Sequence, residues 1–392
     1  MSASPFDTKR HFLTPAFQIK LKGQDPGREV ISDVLEVSFT DDLANIDSFE
    51  FVLHDWDTIA LRPKYSSPWD EDGKPLKLSE GGADIPNFEP GVEVSLYMGY
   101  LEDGDLPLIM EGEVISISPS FPANGSPTCR VRALNSFLRN MQKIRVEDNY
   151  SGTPKAIVDK LCQENNIKVE WATLESEGEP AEKVEIEGIL YDEIAKRVQE
   201  YGLSIFTAVN DAGESILSLK APFAGGDTPV VDFVWGRSLI SFAPVLSVKG
   251  QVSAVVARGG DPAAEGDAQN LEAKKTWSDI GLSPTALGPA GTTDLETAVP
   301  GLIEVIKPDG ITTIVEAEDA ALAHLRELAA ELITGSGTSI GLPSLRAGKT
   351  ITLASMGERF NGVYRVKQTT HSIGGSGYTT SFQVRKEVLE NG

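Results

Sequence analysis

The side chains that most often carry chemistry are few in this chain and do not cluster. Four histidines, His11, His54, His324 and His371, stand far apart, and none has a histidine or cysteine partner at metal-ligand spacing. His324 falls on the polar side of a helical stretch and reads as solvent-facing. Two cysteines do not make a disulfide framework. Cys129 sits in an alternating strand pattern and Cys162 on an apolar helical stripe, so both read as small core residues, suited to assembly in a reducing compartment.

Glycine motifs fail on context. Gly348-Lys349-Thr350 looks like the end of a phosphate-binding loop, but Pro343 stands where that loop needs glycine. A strand pattern follows it, where a helix N-terminus would have to cradle the phosphate. Gly335, Gly337 and Gly341 follow a helix pattern, not the strand that a dinucleotide fingerprint requires. No Gly-x-Ser-x-Gly elbow occurs. With 58 acidic residues, a pair of carboxylates carries no signal by itself. The expectation is a chain that is not an enzyme, with no catalytic residue, no cofactor and no metal site.

Composition narrows the partners. The 392 residues carry 35 Lys and Arg against 58 Asp and Glu, a net charge of −23. Such a chain repels phosphates and anionic lipid, so neither nucleic acid nor membrane is an expected partner. Met1 to Pro15 holds no apolar signal core, and no apolar run approaches the ~18 residues that span a bilayer. If the protein leaves its cell, exit is expected as part of a particle or by lysis.

The elements that would position any site are mostly strands. Phe17, Ile19 and Leu21 alternate with polar residues, as do Leu35, Val37 and Phe39, then Phe49, Phe51 and Leu53, and Val92 to Tyr100. Prolines and glycines then mark residues 57–90 as a long loop. From about Tyr150 the texture changes. Thr153-Pro154 is a capped helix start, and Ile157, Val158, Leu161 and Cys162 line one face. A second helix carries Ile194 and Val198 and stops at Gly202, with strands Leu203–Val209 and Ile216–Leu219 after it. Beyond Val230 the chain is β again. One long strand is expected from Leu246 to Val256, then a loop over 262–300, a helix over 316–333, and three strands from Lys349 to Val388.

An internal repeat is visible. Gly91-Val-Glu-Val-Ser-Leu-Tyr-Met-Gly99 matches Gly348-Lys-Thr-Ile-Thr-Leu-Ala-Ser-Met-Gly357. Gly112 and Gly125 are 13 residues apart, as are Gly362 and Gly375. The repeat implies two copies of one small β-barrel or sandwich, closed to limit exposed edges. The strands beginning near Val92 and Lys349 should then hold the same place in their sheets. The 316–333 helix should have a looser counterpart near Pro63–Pro86.

Other stretches bear a family resemblance. Ser151-Gly-Thr-Pro-Lys-Ala-Ile-Val-Asp-Lys-Leu, Ile189-Leu-Tyr-Asp-Glu-Ile-Ala-Lys-Arg-Val-Gln-Glu-Tyr-Gly-Leu, Phe233-Val-Trp-Gly-Arg-Ser-Leu, Gly250-Gln-Val-Ser-Ala-Val-Val-Ala-Arg-Gly and Phe360-Asn-Gly-Val-Tyr-Arg-Val follow one another in a set order. Their order and spacing resemble the late control D family, the trimeric hub of contractile phage tails, similar to the base of VgrG-type spikes. The resemblance implies an α+β, mainly β fold: two similar tube-like β-barrel or sandwich domains, 1–145 and 230–392, flanking a small α/β insert, 146–229.

It also implies a homotrimer, formed alone or on its partners, that adapts a six-fold inner tube to a three-fold spike. Its partners would be inner tube proteins, other baseplate proteins and a spike. The spike is expected to be a separate polypeptide, because no needle-like repeats precede Gly392. The resemblance leaves loops 57–90 and 262–300 unexplained. Their aromatics Trp69, Phe88 and Trp277 are candidate partner anchors, or pins to their own domain. The rival reading is a secreted carbohydrate-binding or cell-wall lytic tail module.

Overall fold

Most of the structure follows from period-two alternation, which gives each strand one apolar and one polar face. The computed structural model describes residues 14–386, apart from 44, 78–83, 173, 175–176, 178–179, 210–214, 221–227, 261–270, 281–296 and 309–310. The N-terminal half holds β1 (Pro15–Leu21), the single-turn α1 (Arg28–Asp33), β2 (Val34–Asp42), β3 (Ser48–His54), β4 (Glu93–Tyr100), β5 (Leu108–Ser120) and β6 (Thr128–Asn135). These strands pair in the order β1-β4-β5-β6-β3-β2. Alternate residues Val37 and Phe39, Phe49 and Phe51, Val94 and Leu96, and Val131 and Ala133 meet in one core.

A second region follows: α2 (Ser136–Lys143), β7 (Arg145–Gly152), α3 (Pro154–Glu164), β8 (Val169–Trp171), β9 (Ala181–Ile189), α4 (Leu190–Glu200), β10 (Ser204–Val209) and β11 (Ser215–Lys220). Thr153 caps α3 by accepting the Ala156 N–H at 3.2 Å, and Pro154 occupies the first helical position. The apolar stripes of α3 and α4 bury Ile157, Leu161, Ile194 and Val198 in a separate core.

The C-terminal half comprises β12 (Val231–Val234), β13 (Ser241–Leu246), β14 (Ala254–Gly259), β15 (Leu271–Thr276), β16 (Ile303–Ile306), α5 (Ile314–Ala330), β17 (Ile333–Ile340), β18 (Thr350–Ala354), β19 (Gly362–Gly374) and β20 (Gly377–Lys386). Six strands pair as β12-β18-β19-β20-β17-β13, and β15-β14-β16 form a small sheet against α5. Ala317, Ala321, Leu325 and Ala329 recur every fourth residue and are buried in a third core. Leu325 alone contributes about 2 kcal/mol by leaving water.

The two halves share one sheet. β2 pairs antiparallel with β19, from Val37 opposite Ile373 to Asp42 opposite Gln368. The mainly-β fold with two similar halves is as the sequence implied, with several differences in detail. The expected 262–300 loop contains β15 and the turn Trp277–Ile280. The expected strand from Leu246 to Val256 is two strands in different sheets. The chain turns between them at Gly250 (φ 80°), and Gln251 is buried there with its Nε2 donating to Leu328 O at 2.6 Å.

The helix is Ile314–Ala330, not 316–333. Thr313 and Glu316 form a reciprocal capping box that sets its start, and Ile333 already pairs in β17. It also has no helical counterpart among the described residues near Pro63–Pro86. It lies between β13 and β17, whereas the 57–90 segment lies between β3 and β4, a different joint of the repeat. Among its described residues that segment holds isolated bridges, such as Asp57 with Arg62 and Trp69 with Pro75.

Candidate functional site: the polar sheet face and its seam

Eight strands run in register as β5-β6-β3-β2-β19-β20-β17-β13. On one side they cover the N- and C-terminal cores. On the other, cross-strand neighbours over β2, β19, β20, β17 and β13 are mostly small and polar, whereas β3 and β6 present Glu50, Arg130 and Arg132. One row reads Ser241, Thr338, Ser381, Thr370, Thr40, Ser48. A second reads Ala243, Ser336, Gln383, Gln368, Asp42. Hydrogen bonds tie the second row together: Gln383 Nε2 donates to Gln368 Oε1, and Gln368 Nε2 to Asp42 Oδ2, each at 2.9 Å. A shallow groove of about 340 Å³ over β13, β17, β20 and β19 makes this face concave there.

The halves are joined on both faces of the β2–β19 pair. On the polar face, the Thr40 and Thr370 hydroxyls meet at 3.2 Å. Beneath it, Asp41 is 3% exposed and accepts from Arg346 Nε at 2.6 Å, from the Ala347 N–H at 3.0 Å and from the Thr369 hydroxyl. The Arg346 guanidinium also lies over the Phe39 ring, 4.6 Å from its centroid.

Beside them His371 is fully buried. Its Nε2 faces the Leu345 carbonyl at 2.9 Å, which can only accept, so that nitrogen holds the proton. Nδ1 then accepts from the Tyr378 or Thr380 hydroxyl at 3.0 and 3.1 Å. Burial pushes His371 down to about 4, so the ring is neutral. Burial, reinforced by the nearby Asp41 charge, pushes Asp47 up to about 7. Within this polar cluster the Asp41 carboxylate is paired with the Arg346 cation and His371 is neutral, as a low-dielectric site favours.

The internal repeat is written into the hydrogen bonds. The Gly91 N–H donates to Val114 O at 2.8 Å, and the Gly348 N–H donates to Val366 O at 2.9 Å. The Val114 N–H returns to Val92 O, and the Val366 N–H to Lys349 O, both at 2.9 Å. Gly91 and Gly348 both take positive φ, 95° and 79°, which glycine adopts without strain. A bulge recurs at the matching step of each half: Val114/Ser116 against β6, and Val366/Gln368 against β20. β4 and β18 hold the same place, next to β5 and β19.

The 13-residue glycine spacing is a coincidence, because Gly112 sits opposite Val94 inside β5 whereas Gly362 opens β19. Tyr364 is the residue that stands where Gly112 does, opposite Ile351. The halves also differ at one edge: β1 runs antiparallel to β4, and β12 parallel to β18.

A family model described as the Alg8 N-terminal domain matches residues 71–375. The chain belongs to the Alg8 N-terminal domain family. No curated protein matches it in sequence. Among solved structures it is similar to the 43 kDa tail protein of prophage MuSo2 from Shewanella oneidensis. The TM-score is 0.64 at 15% identity, over 95% of this chain and 99% of that one. A tail protein from Neisseria meningitidis gives 0.61 at 13%, over 96% and 100%. A component of the type VI secretion system from E. coli, itself structurally similar to the T4 tail proteins gp27 and gp5, gives 0.51 at 12%, over 94% and 76%. At such identities the likeness is one of fold, the fold of tail proteins that the sequence resemblance implied.

In this Alg8 N-terminal domain chain the loop aromatics do not come together. Phe88 is 1% exposed and packs edge-on against Phe51 and Tyr65. Trp277 is buried in the C-terminal core. Both pack into the chain's own cores, as the pinning alternative expects. Trp69 alone stays at the surface. Cys129 and Cys162 are buried free thiols, each pushed up to about 12 by desolvation. His324 is half-buried beside Glu304 rather than solvent-facing. Among the described residues no His, Cys, Asp and Glu side chains group as metal ligands, and no helix is long and apolar enough to cross a membrane. Sequence reading missed Asp41, Arg346 and His371, which lie far apart in the chain; the only local signal was an isolated histidine in an alternating strand.

Proposed function

We propose that this protein is the structural hub of a contractile injection particle, a homotrimer that adapts a six-fold inner tube to a three-fold spike. One observation carries the reading: each chain holds two halves with the same strand order, alike in their four wall strands, fused edge to edge through β2 and β19. Three chains present six equivalent four-stranded walls, which is how a trimer offers six-fold contacts. Closed into a ring, the eight-strand runs of three chains make a 24-stranded wall. With strands ~4.8 Å apart and tilted ~40°, such a ring is roughly 50 Å across. The Ser, Thr and Gln rows would line its channel, a surface that wets readily and grips nothing.

The small β15-β14-β16 sheet with α5, present in one half only, supplies the three-fold character. The rest of the reading follows from this role. The domains divide at about 145 and 230, and the partners are tube, spike and other baseplate proteins. Assembly is cytoplasmic, and there is no catalytic or cofactor chemistry. The fold of the tail-protein neighbours supports it over a lytic module.

The test is mass: light scattering on the purified chain, and copy number in assembled particles. Three copies are expected, and two or six per particle overturn the reading.

A further inference from the structure

The internal repeat assigns a position in the C-terminal half to each residue of the β2–β19 seam. Val37 and Phe242 are equivalent, because each aligns through its neighbouring strands with the matched residues Ile117 and Thr369. The same tracing matches Phe39 with Pro244 and Asp41 with Leu246. Across the seam, Ile373, His371 and Thr369 correspond to Phe121, Pro119 and Ile117.

Within the chain the six seam residues are at most 8% exposed. Their six counterparts lie on open edges: no strand among the described residues pairs with the outer side of β13, or with the side of β5 opposite β6 beyond Val114. All six counterparts are nevertheless apolar. Phe121 is 59% and Leu246 39% exposed, Pro119 is exposed, and Phe242, Pro244 and Ile117 are half-buried. Apolar side chains gathered on two complementary free edges mark an interface.

We infer that β13 of one chain docks on the distal half of β5 of a second copy, repeating between chains the geometry that β2 and β19 make within one. This deepens the trimeric reading and rests on it. The register places Phe242 opposite Phe121, Pro244 opposite Pro119, and Leu246 opposite Ile117. Proline has no N–H, so the central pair makes no backbone hydrogen bond. The contact is held by apolar burial flanked by short ladders. The same prolines keep either edge from pairing promiscuously with other strands. The intrachain seam, by contrast, carries the buried Asp41–Arg346 pair, so the two kinds of junction in the ring are distinguishable by chemistry.

Cysteine pairs test the register in the full-length chain. Directly opposed strand residues have Cα atoms ~4.5–5.5 Å apart, within disulfide reach. Phe242→Cys with Phe121→Cys should give, on mild oxidation, covalent dimers and then a closed trimer on a non-reducing gel, with nothing larger. Leu246→Cys with Phe121→Cys places the thiols about four residues out of register, ~13 Å along the strand, and should not link. Leu246→Glu should weaken trimerisation at least tenfold while circular dichroism stays unchanged. If the native mass is trimeric but the 242–121 pair links no better than the 246–121 pair, the edge assignment falls and the trimeric reading stands. Two or six copies per assembled particle, with the 242–121 pair unlinked there as well, overturn both.

Discussion

Replacing Asp47 by asparagine should stabilise this protein, and far more above neutral pH than in mild acid. Asp47 is 7% exposed and lies near Asp41 at the turn from β2 to β3. Burial, with the Asp41 charge behind it, raises its carboxyl from 3.8 to about 7. A raised carboxyl means that the folded state prefers the protonated form. Its contribution to stability is fully present below about 3.8 and is lost as pH rises through about 7.

At about 1.4 kcal/mol per tenfold change, the full effect is about 4 kcal/mol above pH 7. That value already includes the opposing Arg346 charge, so the expected gain for Asp47→Asn is roughly 3–4 kcal/mol near pH 8.5 and about 1 kcal/mol near pH 4.5. Guanidinium denaturation of wild type and variant at the two pH values measures it, with the wild-type slope as the check that the unfolding reaction is unchanged. Equal gains at both pH values, or a loss at the higher one, would refute the reasoning that burial holds this carboxyl neutral.

His371 should act in the opposite direction: its pKa is lowered from 6.5 to about 4, so its share of stability is present above 6.5 and lost as pH falls through about 4. His371→Gln should flatten that acid limb by about 3 kcal/mol, read from unfolding free energies across the range. Arg346→Met leaves Asp41 buried without its cation and should cost about 3 kcal/mol, whereas Asp41→Asn combined with Arg346→Met should recover more than half; a thermal-melt double-mutant cycle reports the coupling. Gly91→Ala meets only positive-φ strain and should cost about 1–2 kcal/mol. Gly348→Ala also drives its Cβ to 2.5 Å from the Phe206 ring and should cost clearly more, by the same denaturation assay.

Local physics decided a good deal in advance. Period-two runs fixed which residues of β2, β3, β4 and β6 face a core, because strand geometry sends alternate side chains to opposite sides whatever the partner strand is. Thr153-Pro154 set the start of α3, since a cap and a proline act within one turn. The matched Gly91 and Gly348 marked equivalent corners of the two halves, because both need positive φ.

Pairing across the chain was not legible. Thr40 meets Thr370, and Asp41 meets Arg346 and Thr369, over separations of about 300 residues or more. Alternation says which face a strand buries but not which edge it joins, and every strand offers two edges with the same N–H and C=O groups. Only the packed structure could therefore place β2 on β19, and leave the apolar edge positions of β13 and distal β5 without a strand of their own chain.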